Sequence, residues 1–90
     1  MKLRFGMAAL VIALSTPVMA DDDFYGMIES RPDGKAGTWV IGGRSFDVPA
    51  NVKLDEDHGP LKVGVCAEVD IDDGVVEEIE SKRDNSRCKP

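Results

Sequence analysis

Hydrophobic positions in this chain follow two rhythms. Gly6 to Leu14 is a nearly unbroken apolar run; from Phe24 onward apolar and polar residues alternate in short stretches cut by Gly, Pro and Asp. Alternation with a period of two is the mark of a strand with one buried face. The clearest case is Thr38-Trp39-Val40-Ile41, then Gly42-Gly43, then Arg44-Ser45-Phe46-Asp47-Val48. Two β-rich runs around Gly-Gly predict a hairpin with a two-residue turn. That turn sets Ile41 opposite Arg44, Val40 opposite Ser45 and Trp39 opposite Phe46. Cross-strand partners share a face. Trp39, Ile41, Phe46 and Val48 are therefore expected inside, with Thr38, Val40, Ser45 and Asp47 outside. Pro49 closes the strand.

A second alternation runs through Val65, Ala67, Val69 and Ile71, with Cys66, Glu68 and Asp70 between them. Asp73-Gly74 is the expected turn after it, setting Ile71 opposite Val76. Uninterrupted pairing would then turn Ile79 outward, so a bulge at Glu77-Glu78 is expected to restore it to the core and bend the strand. Phe24 to Ser30 reads as a first strand with Ile28 as its core residue, and Arg31 to Gly37 as a loop. Asp21-Asp22-Asp23 is expected to fray. Residues 50–64 read as irregular, with Leu54 plugging the core, and the segment after Lys82 reads as a polar tail. Five short strands with closely spaced turns predict one small all-β barrel.

Several of these positions carry a family pattern: Tyr25-Gly26-x-Ile28, Gly37-x-Trp39, Ile41-Gly42-Gly43, Val48, Leu61-x-Val63-Gly64, Cys66-x-Glu68-Val69, and Asp73-Gly74 followed by Ile79-Glu80. The pattern resembles domain-of-unknown-function family 5666, a group of small exported bacterial proteins, over residues 24–81. The resemblance implies a five-stranded OB-like barrel. Its motifs are turns and core positions; it supplies no catalytic or binding residues to carry over, and the cysteine pair is not part of its general pattern.

The first twenty residues read as a secretion signal. Lys2 and Arg4 precede the apolar run, which is too short to span a bilayer; Pro17 breaks it, and Val18-Met19-Ala20 offers a cleavage site after Ala20. The expected domain is residues 21–90, in the periplasm or outside the cell. Losing Lys2 and Arg4 leaves nine basic residues against 17 acidic ones, so the formal charge moves from −6 to −8. Such a chain repels nucleic acid and anionic membranes. The permitted partners are a periplasmic protein or a small ligand, and a single copy is expected.

Seventy residues support only a thin core. Cys66 and Cys88 are the only cysteines. In an oxidising compartment such a pair reads as a disulfide, and a loop of this length gives roughly 3 kcal/mol. Cys66 alternates away from the core, so the bridge is expected to pin the tail across the outer wall.

Candidate chemistry is sparse. Asp55, Glu56, Asp57 and His58 could hold a divalent cation but lack a fixed ligand spacing, so a solvated loop is the plainer reading. Asp21, Asp22 and Asp23 could add carboxylates; Asp70, Asp72 and Asp73 read first as turn chemistry. Tyr25 and Trp39 could form an aromatic platform, though Trp39 suits the core. One histidine beside Gly-Pro gives no Ser-His-Asp set. The resulting expectation is a non-enzymatic binding or interaction module without a cofactor; the alternative is a weak divalent-metal binder.

Overall fold

The structure, a computed structural model, describes residues 21–89; the expected signal segment 1–20 lies outside the described residues. Its elements are β1 (Asp21–Ser30), β2 (Gly37–Ile41), β3 (Arg44–Val48), β4 (Lys53–Asp55), β5 (Cys66–Asp72) and β6 (Val75–Ser81). They form one sheet in the order β3-β2-β1-β5-β6-β4. Every neighbouring pair is antiparallel except β4 with β6.

Both predicted turns form. Gly42 and Gly43 have φ of 58° and 79°, and Asp73 and Gly74 have φ of 56° and 80°. Two successive positive φ angles match the right-handed twist of the flanking strands. The first turn pairs Trp39 with Phe46 and Ile41 with Arg44. Trp39, Ile41, Phe46 and Val48 are buried, while Thr38, Ser45 and Asp47 are exposed. The second turn sets Ile71 opposite Val76, and the register then slips so that Asp70 faces Glu78 and Val69 faces Ile79. Glu77 is the extra residue, and the expected bulge places Ile79 in the core with no exposed surface.

The expectation of a closed, five-stranded barrel is corrected to an open, six-stranded sheet. The physical reason is β4. Lys53, Leu54 and Asp55 pair in parallel with Glu78, Ile79 and Glu80, and so occupy the β6 edge that a closing β3 would need. β3 approaches β6 within 8 Å between Cα atoms, yet the two do not pair. The frayed start is corrected too: Asp21, Asp22 and Asp23 pair with Asp72, Ile71 and Asp70.

β1 serves both halves of the sheet. Residues 21–27 pair with β5; Ile28 and Ser30 pair with β2, with a register shift between them that leaves Glu29 as the extra residue. At the bend the β2–β3 turn packs directly on β1. The Gly42 amide donates to the Met27 carbonyl at 2.9 Å. A Cβ on Gly26 would lie 2.6 Å from Gly42 Cα, so only glycine admits this approach.

The inward faces supply the core: Ile28, Trp39, Ile41, Phe46, Val48, Val52, Leu61, Ala67, Val69, Ile71, Val76 and Ile79, with Phe24, Leu54 and Val65 packed against it. Trp39 has no exposed surface, and its indole N–H donates to the Lys35 carbonyl at 2.8 Å. The Arg31 guanidinium lies 4.2 Å from the Trp39 ring centroid and donates to the carbonyls of Pro32, Gly34 and Leu61, which ties the loop after β1 to the core.

Candidate functional site

The opposite face of the β1–β5–β6–β4 segment carries most of the chemistry. Strand alternation puts Tyr25, Glu68, Glu80 and Asp55 in one row, because Tyr25 faces Glu68, Glu68 faces Glu80 and Asp55 faces Glu80. The adjacent row is Asp23, Asp70, Glu78 and Lys53. The two rows bring six carboxylates together with a single lysine. Asp23 faces Asp70, Asp70 faces Glu78, and Glu68 faces Glu80. Like charges placed directly opposite one another destabilise a sheet.

The carboxylates of Asp55, Glu78 and Glu80 form a cluster, with one oxygen from each lying within 4.8 Å of the others. All three are half-buried. Partial burial pushes the Glu78 carboxyl above its ordinary range; Lys53 pulls it back down, while Glu80, Asp55 and Asp70 push it further up. A donor set of carboxylate oxygens alone suits hard cations or ammonium and guanidinium groups.

The other end of the first row is neutralised by the chain itself. Lys82 Nζ lies 3.2 Å from Glu68 and 3.7 Å from Glu80. The hydrogen bond from Lys82 to Glu68 holds the lysine above its ordinary pKa. Arg87 lies 4.5 Å from the Tyr25 ring centroid. The Cys66–Cys88 disulfide, with 5.9 Å between Cα atoms, draws the tail over this end as expected. Cys66 is 1% exposed although it is not part of the inward core cluster.

The candidate loop residues separate in the fold. Asp55 joins the carboxylate cluster. Glu56 accepts from the Leu61 amide at 2.7 Å, and Asp55 accepts from the Asp57 amide at 3.0 Å, so both contacts shape the loop. His58 is exposed and outside the cluster. Asp23 and Asp70 lie on the acidic face, while Asp22, Asp72 and Glu77 line a shallow groove beside it. Trp39 belongs to the core and Tyr25 to the outer face, so they form no shared platform. Glu78 and Glu80 were missed by sequence reasoning. Their signal was the polar alternation around Ile79, but their partner Asp55 comes from a strand too short to announce itself.

Among the described residues no helix is long and apolar enough to cross a membrane. Compared with known protein families, the chain matches none. No match was found among curated proteins or among solved structures.

Proposed function

We infer that this chain is an exported, non-enzymatic binding module, acting as a single copy in the periplasm or outside the cell, whose acidic sheet face takes a basic segment of a partner protein. One observation carries the reading: carboxylates stand directly opposite one another on β1, β5, β6 and β4, with Glu78 held above its ordinary pKa. A surface needed only for solubility gains nothing from this arrangement, because scattered charges give the same solubility without cross-strand repulsion. A cationic partner relieves the repulsion on binding. The tail offers an internal precedent, since Lys82 sits beside Glu68 and Glu80. Kinship with the small exported proteins of family 5666 belongs to the same proposal, supported by the two turns and the alternating core.

The Asp55, Glu78 and Glu80 cluster favours a second reading, a weak site for a divalent cation. Calorimetric titration with an oligolysine peptide, and separately with calcium, magnesium and zinc, tests both. The first reading expects oligolysine to bind in low salt, to weaken steeply as salt rises, and to lose at least tenfold in affinity in a Glu78→Gln, Glu80→Gln double variant. The second expects ion binding tighter than millimolar that is lost in the same variant. If neither probe binds tighter than millimolar, both readings fail.

A further inference from the structure

The disulfide sits at the boundary between the acidic face and the tail, where it joins β5 to the turn that holds Cys88. From Lys82 to Lys89 the chain reads Lys82-Arg83-Asp84-Asn85-Ser86-Arg87-Cys88-Lys89, with no apolar side chain other than the half-cystine. The hydrogen bonds that shape residues 83–89 are local: Cys88 and Lys89 amides donate to the Asn85 carbonyl, and the Ser86 amide donates to Asp84. That last contact holds the Asp84 carboxyl below its ordinary range. Attachment to the sheet comes from the Arg87 contact with Tyr25 and from the covalent bridge. An exposed cation–π contact is a weak fastening. What the bridge holds down is therefore a segment whose non-covalent fastening is one cation–π contact and the salt-screened attraction of Arg83, Arg87 and Lys89 to the acidic face.

That surface is distinctive. Cys66 faces Met27, and Tyr25 lies two residues along on the same side of β1. Cys66 is almost wholly covered while Cys88 is half-exposed, so the two residues differ in access. The β5–β6 pairing continues up to the start of the tail, where the Lys82 amide donates to the Cys66 carbonyl at 3.0 Å. The sheet is thus complete before the tail begins.

We propose that the Cys66–Cys88 bridge is a redox latch: closed, it seats residues 83–89 over Cys66 and Tyr25; opened by a dithiol reductant, it frees the tail and bares that strip while the sheet stays folded. Exchange begins when one thiolate of the dithiol attacks Cys88 Sγ, on the more exposed residue of the pair. The protein S–S bond breaks, and Cys66 leaves as a thiolate and takes up a proton. The second thiol of the reductant then attacks its own sulfur in the mixed disulfide and releases Cys88 as a thiol. The dithiol is oxidised by two electrons to its disulfide, and the protein disulfide is reduced to two thiols. Opening also lifts Arg87 from the face, leaving it more acidic.

The test uses the full chain purified with the bridge formed, with and without dithiothreitol. Trypsin cleavage after Arg83 and Arg87 is followed by mass spectrometry, and Trp39 emission reports on the core in the same samples. The latch expects cleavage at least tenfold faster after reduction, with Trp39 emission unchanged. A Cys88→Ser variant should cleave at the fast rate with or without reductant. The proposal is overturned if the reduced tail is as resistant as the oxidised one, since the tail then seats itself. It is equally overturned if Trp39 emission shifts to the red on reduction, since the bridge then holds the sheet.

Discussion

Glu78→Gln is expected to stabilise this protein at neutral pH, although it replaces a residue in the middle of a paired strand. The change keeps the volume and removes one charge. In water at 4.8 Å, the outer limit of the oxygen separations within the Asp55, Glu78 and Glu80 cluster, two like charges repel by about 0.9 kcal/mol. At physiological salt, screening reduces this to roughly 0.5 kcal/mol. Glu78 is repelled by Glu80, Asp55 and Asp70 and attracted by Lys53. One repulsion cancels against the lysine, which leaves a gain of about 0.5–1 kcal/mol for the variant. The pH dependence follows from linkage. Partial burial and these neighbours raise the native carboxyl above 4.5, so the folded state binds its proton more tightly than the unfolded chain does. Stability from this group is full below the unfolded value and is lost as pH rises through the native one. The variant and the parent should therefore match near pH 3 and diverge as pH climbs to 7. Urea unfolding followed by Trp39 emission, at several pH values and two salt concentrations, measures the difference. A variant that is less stable at pH 7, or a gain that persists unchanged at pH 3 and in high salt, would refute the picture of a self-repelling face.

Trp39→Ala should cost about 3–5 kcal/mol, against a total of roughly 4–10 kcal/mol for a domain this size; Val40→Thr, on the opposite face, should cost far less, and equal losses in denaturant titrations would mean that the hairpin faces are inverted. Gly26→Ala should cost about 1–3 kcal/mol by forcing the Gly42 backbone off β1; an unchanged melting temperature would show that the turn does not rest there. Alkylation of the oxidised protein should find no free thiol among Cys66 and Cys88, and reduction should lower the melting temperature, because a bridge spanning 22 residues restricts the unfolded chain.

Much of the fold was legible because short-range chemistry decides it. Gly42-Gly43 and Asp73-Gly74 fix two hairpins, each turn fixes a register, and register assigns every side chain to a face. Even the Glu77 bulge followed, since Ile79 had to be recovered for the core. The illegible parts depend on partners distant in sequence. Lys53-Leu54-Asp55 is too short for periodicity to register, and its parallel pairing with β6 is announced by no turn. Asp21-Asp22-Asp23 has poor strand propensity, yet β5 extends to Asp72 and offers the run a hydrogen-bonding edge. The acidic face suffered on both counts. Asp55 is visible as a ligand type, but proximity in sequence groups it with its loop neighbours, including His58. Its actual neighbours, Glu78 and Glu80, come from another strand.

The bulge has a consequence for how such chains can change in length. If Glu77 were lost, Val76 would be followed directly by Glu78 and Ile79, and the order inside, outside, inside would survive without interruption. Ile71 would still meet Val76, Asp70 would meet Glu78 and Val69 would meet Ile79. A single-residue deletion in most half-buried strands reverses every side chain beyond it. Here it would straighten β6 and leave both faces intact, so this strand can exist at two lengths, one bent and one flat. Descendants of one ancestral gene could differ by this codon without exchanging core for surface, and a Glu77 deletion variant that keeps Trp39 buried is the measurable form of that statement.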